Sequence, residues 1–476
     1  MTDIRVRFAP SPTGYLHIGG LRTALYDYLF ARHSDGKCIL RIEDTDQNRE
    51  VAGAAESLVT TLHNLGIDFD ESPMVGGSYA PYTQSERLAL YHEHASILLE
   101  KGYAYRCFCS PETLSQMRDE QQARGEFVKY DRRCLTLSEA QIAEHLAKGT
   151  PHVIRLKMPD NHRFAFDDMI RGHVEMDAAQ SDDQVLIKSD GFPTYHLAAT
   201  VDDHFMRISH VIRGEEWLSS TPKHIWLYQC FGWQPPKWVH LPLILNADRS
   251  KLSKRMNDVS VESYLEKGYL PEALLNFVAL LGWHSADDRE IYSLGELADA
   301  FSLDRVNKAG AIFDLSKLDW MNGHYLRSLP LQSIAERARK YFANLPLRDE
   351  EQYLAIIKAA RERCTLLPEM AEYARPFLSP ETPVEAAMLE EEASVKVLSW
   401  FHANLPSIDL NDAEAVNLLT KSGIAELGIK GKAFYTPLRL ALIGQSHGPD
   451  LAATFCILGL DECLKRLEKY LPVLSS

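Results

Sequence analysis

Two short stretches, far apart in the chain, carry residue types that bind and neutralise phosphate groups. They are APSPTGYLHIGG (9–20), where a proline-rich turn leads into glycines and a histidine, and KLSKR (251–255), which places three cations within five residues. Backbone N–H groups at the start of a helix favour anions, and glycines let an anion approach closely. Taken alone, the first stretch would usually be a simple turn and the second a solvated surface. Because each follows a predicted strand, together they predict one polyphosphate site.

The first stretch follows a predicted strand and opens a predicted helix. Residues 4–8 alternate between apolar and charged side chains, which is typical of a strand. From His17 onward apolar residues recur with the period of a helix, and Lys37–Ile42 is a second predicted strand. This order predicts a parallel βαβ unit, and ligands of such sheets bind at the carboxyl ends of the strands. Arg7 and Glu43 fall at those ends.

The α/β pattern is interrupted once and then resumes. Residues 105–183 hold a cysteine pair, a polar helix and short strands, which indicates an inserted domain. Further along, Ile208–Arg213 and Trp238–Leu245 are predicted strands, and the second runs into the KLSKR loop. From Val261 onward almost every segment has helical period and strand signals vanish, so the rest of the chain is expected to be helical.

The overall composition is that of a folded globular protein with an acidic surface. The chain has 476 residues, of which 45% are hydrophobic and 25% charged, and its formal net charge is −15. This balance excludes a uniformly basic nucleic-acid binder, so a polyanionic partner must meet a local positive face. No signal peptide is visible and the longest apolar stretch is too short to span a bilayer, so we expect a cytoplasmic protein without a membrane partner.

The two phosphate-binding stretches resemble the ATP-binding motifs of the class I aminoacyl-tRNA synthetases. HIGG (17–20) is similar to the first motif, with Gly20 where many members carry a second histidine, and KLSKR is similar to the second. Other stretches resemble the bacterial glutamyl-tRNA synthetases, and the likeness spans nearly the whole chain. These stretches are RFAPSPTG (7–14), RIEDTD (41–46), PTYHLA (193–198), VIRGEEW (211–217), LPEALLNFVALLGW (270–283) and GKAFYTPLR (431–439).

The resemblance implies an α/β fold built around a Rossmann-like parallel-sheet catalytic domain. An inserted α+β domain would bind the acceptor stem of tRNA, a helical domain would contact the stem, and an all-α carboxy-terminal region would bind the anticodon. The expected divisions are 1–104 and 184–260 for the catalytic domain, 105–183 for the inserted domain, 261–324 for the stem-contact domain and 325–476 for the anticodon-binding region.

The resemblance also implies a two-step reaction, in which ATP, bound with Mg²⁺, and L-glutamate first form glutamyl-adenylate. The glutamyl group then passes to the 3′-terminal ribose of tRNA-Glu. Because a carboxylate is already nucleophilic, the first step needs in-line positioning and charge neutralisation rather than a general base. By the family's motifs, His17, Lys251 and Lys254 would be the catalytic residues. The ATP-binding residues would be Pro10, Ser11, Thr13, Gly14, His17, Gly19, Gly20, Lys251, Leu252, Ser253, Lys254 and Arg255.

Glutamate recognition follows from the same matching of motifs. Arg7 would pair with the side-chain carboxylate, because a planar guanidinium gives a bidentate contact. Ser11 and Tyr195 would add hydrogen bonds, and Glu43 would hold the α-ammonium group. Arg213 matches a further arginine of the family that lies near the substrate carboxylates.

Three cysteines in the predicted insert have the spacing of a metal site. Cys107, Cys109 and Cys134 are similar to the zinc site of some bacterial glutamyl enzymes, which supply a fourth ligand two residues past the third cysteine. Here that position is Thr136, a poor ligand, so a fourth donor such as His145 or a nearby carboxylate would be needed. The alternative is three ordinary reduced thiols, the default for sparse cysteines in a cytosolic chain.

Three alternatives to a glutamate-specific ligase can be set against features of the sequence. A glutaminyl-tRNA synthetase would have a β-barrel tail, whereas this tail has helical period. A truncated glutamyl-queuosine-type enzyme would lack the anticodon region. An inactive paralogue that binds tRNA or regulates would not need His17, Lys251 and Lys254. In the tail Arg361 and Arg363 are candidate anticodon readers, and the resemblance implies a monomer.

Overall fold

The structure is a computed structural model that describes residues 3–49, 51–253, 259–379 and 386–471. Lys254 and Arg255 of the predicted ATP-binding set lie outside the described residues. The chain divides into unit 1, residues 1–264 and 274–314, and unit 2, residues 265–273 and 315–476. Within the described ranges, no helix is both long and apolar enough to cross a bilayer.

Strands and helices alternate in unit 1, and every regular element described after Ile312 is a helix. The strands are β1 (Arg5–Phe8), β2 (Lys37–Leu40), β3 (Ala104–Cys107), β4 (Val153–Leu156), β5 (Arg163–Asp168), β6 (Gly172–Asp177), β7 (Val185–Ile187), β8 (His210–Gly214), β9 (Lys237–Leu241), β10 (Ile244–Leu245) and β11 (Ala311–Ile312). The helices are α1 (Ile18–His33), α2 (Ala54–Asn64), α3 (Leu88–Glu100), α4 (Pro111–Ala123), α5 (Glu139–Ala147), α6 (Tyr195–Phe205), α7 (Thr221–Phe231), α8 (Val261–Glu266), α9 (Pro271–Ala279), α10 (Leu294–Ala300), α11 (Leu315–Ser328), α12 (Leu331–Ala338), α13 (Glu350–Ala360), α14 (Glu369–Leu378), α15 (Glu392–Asn404), α16 (Ala413–Leu427), α17 (Lys432–Ile443), α18 (Leu451–Leu458) and α19 (Leu460–Glu468).

The first three elements, β1, α1 and β2, form the predicted parallel βαβ unit, because β1 pairs with β2 in parallel register. On α1 the predicted apolar stripe is buried, with Leu21 and Leu25 fully inaccessible to solvent. The amino end of α1 is capped by His17, whose Nδ1 accepts the backbone N–H of Gly19 at 2.9 Å. This cap leaves the first turn of the helix facing the carboxyl ends of the strands.

A second, four-stranded sheet has the order β6-β5-β9-β8. In it β8 and β9 are parallel, and β5 joins β9 in parallel through Asp168 opposite Trp238. The backbone N–H of Ser209, just before β8, donates to the carbonyl of Arg5 at 2.9 Å, which aligns β1 beside β8. The predicted parallel α/β arrangement is confirmed, and it brings the carboxyl ends of β1, β2 and β8 to one edge.

Two strand predictions are wrong in detail. The predicted strand Trp238–Leu245 is two strands, β9 and β10, because Pro242 between them has no N–H to continue the ladder. β10 pairs in parallel with β11, which lies in the part of the chain where no strand was predicted. A strand of two residues is too short to show the alternation on which the prediction depends.

The apolar interior of unit 1 fixes the helices that carry the candidate site. Its buried members include Leu98 of α3, Leu197 of α6, Tyr228 of α7 and Trp238 of β9. Interiors are packed as densely as organic crystals, so helices held this way present their end residues in defined positions. Unit 2 has its own interior, in which Phe401 of α15 is fully buried.

Candidate active site

A cavity of about 1110 Å³ opens at the carboxyl ends of β1, β2 and β8 in unit 1. Both predicted phosphate-binding stretches line it, the first through His17, Gly19 and Gly20, and the second through Lys251 and Leu252. The two stretches therefore face the same space, as a single polyphosphate site requires. The predicted glutamate-site residues Arg7, Ser11, Glu43, Tyr195 and Arg213 line this cavity as well.

Some members of the predicted ATP-binding set are not part of the described cavity lining. The carbonyl of Pro10 accepts the backbone N–H of Glu43 at 2.9 Å, which ties the turn to the end of β2. Gly14 has a φ of +137°, a conformation that only glycine adopts without strain. The described lining does not include Pro10, Thr13, Gly14 or Ser253, and Lys254 and Arg255 lie outside the described residues.

The His17 ring has a defined protonation pattern because its Nδ1 accepts a backbone N–H. A neutral ring must then carry its proton on Nε2, which makes that nitrogen a hydrogen-bond donor. A Cβ at Gly19 would lie 3.3 Å from His17 Nδ1, so glycine lets the ring close over the helix end without crowding. The positive end of the helix dipole adds to the attraction for an anion there.

The loop that contains Lys251 is attached to the site on both sides. The backbone N–H of Leu252 donates to the carbonyl of Ile244 at 2.9 Å, and the Lys251 side chain is exposed at the cavity. After residues 254–258, the carbonyl of Val259 accepts the N–H of Ile18 at 2.8 Å. The described ends of the loop thus lie beside β10 and beside the start of α1, and Lys251 lines the same cavity as His17.

One buried carboxylate, that of Asp203 on α6, joins the residues predicted to bind the two ends of glutamate. Arg7 Nε donates to Asp203 Oδ1 at 2.9 Å, and Arg41 Nη1 donates to the same oxygen at 2.7 Å. Arg41 Nη2 donates in turn to Glu43 Oε1 at 2.9 Å. All four side chains are buried, and Arg41 is fully inaccessible. Arg7 and Glu43 therefore cannot move independently.

The two carboxylates of this network titrate in different ranges. Burial raises the pKa of Glu43 to about 7, although Arg41 and Arg7 act to lower it. Burial also acts to raise the pKa of Asp203, but Arg7 and Arg41 outweigh it and hold that pKa below its ordinary value. Asp203 is therefore a permanent counter-ion for the two arginines, whereas the charge of Glu43 changes near neutral pH.

The contacts of Arg7 determine how it can meet a substrate carboxylate. Its Nε edge is taken by Asp203, and its Nη1 donates to the carbonyl of Ile212 at 3.4 Å. No group in the described part of the chain accepts a hydrogen bond from Nη2. A bidentate contact must therefore use the Nη1 and Nη2 end of the guanidinium rather than its Nε side.

Tyr195 and Arg213 lie together in the lining of the cavity. Arg213 Nη1 donates to the Tyr195 hydroxyl at 3.1 Å, and the Tyr195 ring lies 4.3 Å from that of Trp217. Tyr195 is the first residue of α6, so the same helix carries both this hydroxyl and the carboxylate of Asp203.

Sequence reasoning missed Asp203 and Arg41, which hold the predicted residues in place. The available signal was the pair Asp202–Asp203 inside the otherwise apolar LAATVDDHF helix, since charges in a buried helix need partners. Which strand supplies those partners depends on the sheet order, and a local pattern does not contain that information.

The three cysteines predicted as metal ligands are close together. The Sγ atoms of Cys107, Cys109 and Cys134 all lie within 4.8 Å of one another. The Tyr130 hydroxyl lies 3.3 Å from the Sγ of Cys107 and 3.4 Å from that of Cys109. A hydrogen bond between Cys107 and Cys134 lowers the pKa of the Cys107 thiol and raises that of Cys134. The cluster therefore favours a thiolate, the form that binds metals.

Neither fourth donor considered from the sequence reaches this cluster. The Thr136 hydroxyl donates to the carbonyl of Arg133 at 2.9 Å, and the His145 ring stacks on Phe108 with ring centroids 4.5 Å apart. Among the described residues, no histidine or carboxylate joins the three thiols. The group that faces them is Tyr130, which the spacing of cysteines alone could not reveal.

A smaller cavity of about 250 Å³ lies in unit 2. Arg363, Glu372, Tyr373 and Gln445 contribute polar groups to its lining. The Tyr373 hydroxyl is buried and has no hydrogen-bond partner in the described chain. Of the two arginines predicted as anticodon readers, Arg363 lines this cavity and Arg361 does not.

Two family models match the chain. The model described as tRNA synthetases class I (E and Q), catalytic domain, matches residues 3–320. The model described as anticodon binding domain matches residues 333–471.

The sequence is also similar to full-length relatives. A glutamate–tRNA ligase of Alkaliphilus metalliredigens is 44% identical over 486 residues, which cover 98% of this chain and 99% of that protein. One of Chlorobium phaeovibrioides is 45% identical over 494 residues, which cover 99% and 95%. The crystal structure of a glutamate tRNA ligase from Elizabethkingia meningosepticum in complex with its amino acid has a TM-score of 0.91 at 39% identity, over 99% of this chain and 100% of that one.

Replacing Arg41 by Met should destabilise the protein by about 3–5 kcal/mol, because Glu43 and Asp203 would lose a buried cation. Denaturant unfolding measures this change in the free energy of unfolding. Arg124, which pairs with Glu126 on the surface, offers a matched control, and Arg124→Met should leave the unfolding midpoint nearly unchanged. Equal midpoints for the two variants would contradict the structural role of Arg41.

Proposed function

The chain belongs to the class I tRNA synthetases of the glutamate and glutamine group, and we propose that it is a glutamate–tRNA ligase whose activation site is the large cavity of unit 1. The observation that carries this proposal is that His17, Gly19 and Gly20 of the first motif and Lys251 and Leu252 of the second line one cavity, together with Arg7 and Glu43. Relatives similar over nearly their whole length are glutamate–tRNA ligases, which favours glutamate over glutamine. The helical tail also opposes the β-barrel expected of a glutaminyl enzyme.

In the activation step an α-carboxylate oxygen of glutamate attacks the α-phosphorus of ATP. A new P–O bond forms, the bond to the bridging oxygen of the β-phosphate breaks, and pyrophosphate leaves with that electron pair. His17 donates its Nε2 proton to the phosphates as a hydrogen bond, and Lys251 neutralises the departing pyrophosphate. Mg²⁺, which arrives with ATP, supplies further charge neutralisation. Lys254 would assist from the part of the loop that the structure does not describe.

Glutamate is recognised at its two ends by the residues that Asp203 and Arg41 hold together. The Nη1 and Nη2 end of Arg7 accommodates the side-chain carboxylate, and ionised Glu43 holds the α-ammonium group. Tyr195 and Ser11 add hydrogen bonds. A glutamine amide would present an NH₂ donor to the N–H donors at the Nη1 and Nη2 end of Arg7, and it carries no charge, so glutamine is disfavoured.

In the second step a ribose hydroxyl of tRNA attacks the carbonyl carbon of glutamyl-adenylate and AMP leaves. We assign the acceptor stem to residues 105–183, further stem contacts to 261–324, and the anticodon to 325–476. The smaller cavity of unit 2 suits an unstacked anticodon base, because Arg363 and the Tyr373 hydroxyl, which has no partner among the described residues, can bind its polar edge.

A structural zinc ion fits the cysteine cluster of the insert. Tetrahedral zinc with Zn–S distances of about 2.3 Å places its sulfur ligands about 3.8 Å apart, a spacing that three thiols within 4.8 Å can adopt. Cys107, Cys109 and Cys134 would be the sulfur ligands, and the Tyr130 hydroxyl, which faces two of them, would be the fourth donor. The ion would cross-link β3 to the segment that contains Cys134.

Purified protein should charge tRNA-Glu with glutamate, and Lys251→Ala should slow adenylate formation roughly 100- to 1000-fold, as expected for loss of one preorganised charge contact. Because Lys251 is exposed, thermal stability should not change. Aminoacylation and pyrophosphate exchange measure the effect, and Lys101→Ala, at an exposed lysine outside the cavity lining and outside the segments assigned to tRNA, is the control. A wild-type protein without glutamate charging would refute the function, and normal exchange in Lys251→Ala would remove that residue from the site.

The KM for glutamate should rise about fivefold to tenfold as the pH falls from 8 to 6, whereas the KM for ATP should stay nearly constant. With a pKa of about 7, the ionised fraction of Glu43 falls from about nine tenths to about one tenth over this interval, and a protonated Glu43 cannot hold the α-ammonium group. Glu43→Gln should give a high, pH-independent KM, whereas Glu56→Gln on α2 should retain the wild-type profile. A flat wild-type profile would contradict the role of Glu43.

Purified protein should contain about one equivalent of zinc, measured by mass spectrometry of the metal. Cys134→Ser should lower this content below about a tenth of an equivalent, because structural zinc requires four ligands. Tyr130→Phe should weaken zinc retention during dialysis against a chelator. Cys230→Ser, at another buried cysteine, should retain the metal. A wild-type protein without zinc would refute the site.

A further inference from the structure

Asp168, the last residue of β5, has a carboxylate that is surrounded by hydrogen-bond donors. Its Oδ1 accepts the backbone N–H groups of Ile170 at 2.9 Å and Arg171 at 2.8 Å. Its Oδ2 accepts the backbone N–H of His240 at 3.1 Å and lies 2.6 Å from the Nδ1 of the same residue. Burial acts to raise the pKa of Asp168, but the hydrogen bonds from His240 and Arg171 outweigh it and lower that pKa. The side chain is therefore an ionised acceptor.

The second ring nitrogen of His240, Nε2, faces a group that can only donate a hydrogen bond. Arg213 Nε lies 3.0 Å from His240 Nε2, and the Thr221 hydroxyl lies 3.3 Å from the same atom. An arginine side chain has no acceptor and stays protonated at any ordinary pH, so Nε2 must accept. The ring is then neutral with its proton on Nδ1, pointing at Asp168. Both neighbours of His240 require the same tautomer.

Arg213 lines the cavity and is held there through Nε, Nη1 and Nη2, the last of which donates to the carbonyl of Trp217 at 3.5 Å among other contacts. Its Nη1 donates to the Tyr195 hydroxyl and to His224 Nδ1, both at 3.1 Å, and its Nη2 donates to the Thr221 hydroxyl at 2.9 Å. His224 Nε2 can then donate to His196 Nδ1, 3.0 Å away. The contact of Nε with His240 adds a further point of attachment, at the opposite edge of the guanidinium from these Nη contacts.

We propose that Asp168 is a positioning residue for substrate binding: it holds His240 in the Nδ1–H tautomer, and that neutral ring orients the Arg213 guanidinium towards the substrate carboxylates. The proposal rests on the proposed function, in which Arg213 contributes to glutamate binding. Neither Asp168 nor His240 lines the cavity, so each acts on the substrate only through Arg213.

Asparagine at position 168 gives a sharp test because all four groups around the carboxylate are donors. The amide NH₂ would face either the backbone N–H groups of Ile170 and Arg171, or the His240 ring together with the backbone N–H of His240. Of these four donors only the ring can adapt. The ring adapts by moving its proton to Nε2, where it would meet the Nε–H of Arg213 donor to donor. An isosteric substitution away from the cavity would thus displace the cavity arginine.

Asp168→Asn should raise the KM for glutamate roughly 10- to 100-fold, the usual effect of removing a partner that orients a binding group, with the KM for ATP little changed. The adjacent Asp167 is the matched control, because it also pairs with a histidine Nδ1, that of His173 at 2.9 Å, but on the surface. Asp167→Asn should keep the wild-type KM values for glutamate and for ATP. Normal glutamate KM in Asp168→Asn, with Arg213→Lys impaired, would overturn the proposal.

Two further measurements keep the test decisive if Asp168→Asn folds poorly. With ¹⁵N-labelled histidine, NMR of the wild-type protein should show the His240 proton on Nδ1, the signal being assigned by its loss in His240→Gln. A proton on Nε2 would overturn the proposal.

His240→Gln keeps an acceptor for Arg213 and should have a lower glutamate KM than His240→Leu, whereas equal values would also overturn it. If Arg213→Lys leaves the glutamate KM unchanged while charging persists, the role of Arg213 is wrong and the proposal falls with it, without loss of the ligase assignment.

Discussion

The carboxylate of Asp203, shared between two buried arginines, is the interaction on which the geometry of the site depends. It requires β1, β2 and α6 to meet within hydrogen-bond distance, since Arg7 comes from the first, Arg41 follows the second and Asp203 lies on the third. Charges in a weakly polar interior interact strongly, and they tolerate little displacement because an unpaired one is costly. The recognition of the two ends of the amino acid is therefore built into the packing of the sheet against α6.

The neighbouring carboxylate extends the same constraint to α3. Asp202 accepts from Arg87 Nε at 2.7 Å, from Gln84 at 2.9 Å and from the Tyr91 hydroxyl at 2.8 Å. Two consecutive acidic residues on one helix thus lie beside the same buried Arg41, whose Nε is 3.7 Å from Asp202 Oδ2, and Asp202 also binds residues of the segment 84–91. The buried hydrogen bonds fix the relative positions of these elements, because they require a specific geometry that apolar packing alone does not require.

Local patterns predicted much of the site because its residues lie at the ends of strongly patterned elements. The alternation before Arg7 and the helical period after His17 placed both at one sheet edge. Local patterns could not predict which residues pair with Asp203, because the sequence of α6 has helical period whichever strand Asp203 faces. The Asp168–His240 pair was hidden for the same reason, since its members come from strands that the chain order separates. Tyr130 was not predicted at the cysteine cluster, because the spacing rules for metal sites consider cysteines and histidines and do not consider tyrosines.

The placement of β5 has a consequence for how this protein can be rebuilt. Its hairpin with β6 belongs by sequence to the segment that interrupts the α/β pattern, yet β5 is hydrogen-bonded to β9 within the sheet that carries Arg213. The segment that interrupts the α/β pattern therefore cannot be exchanged without changing the sheet that carries Arg213. A chimaera cut at residues 105 and 183 would import a foreign β5–β6 hairpin into this sheet together with whatever side chain replaces Asp168, whereas a junction drawn after β4 and before β5 would leave the parental sheet whole.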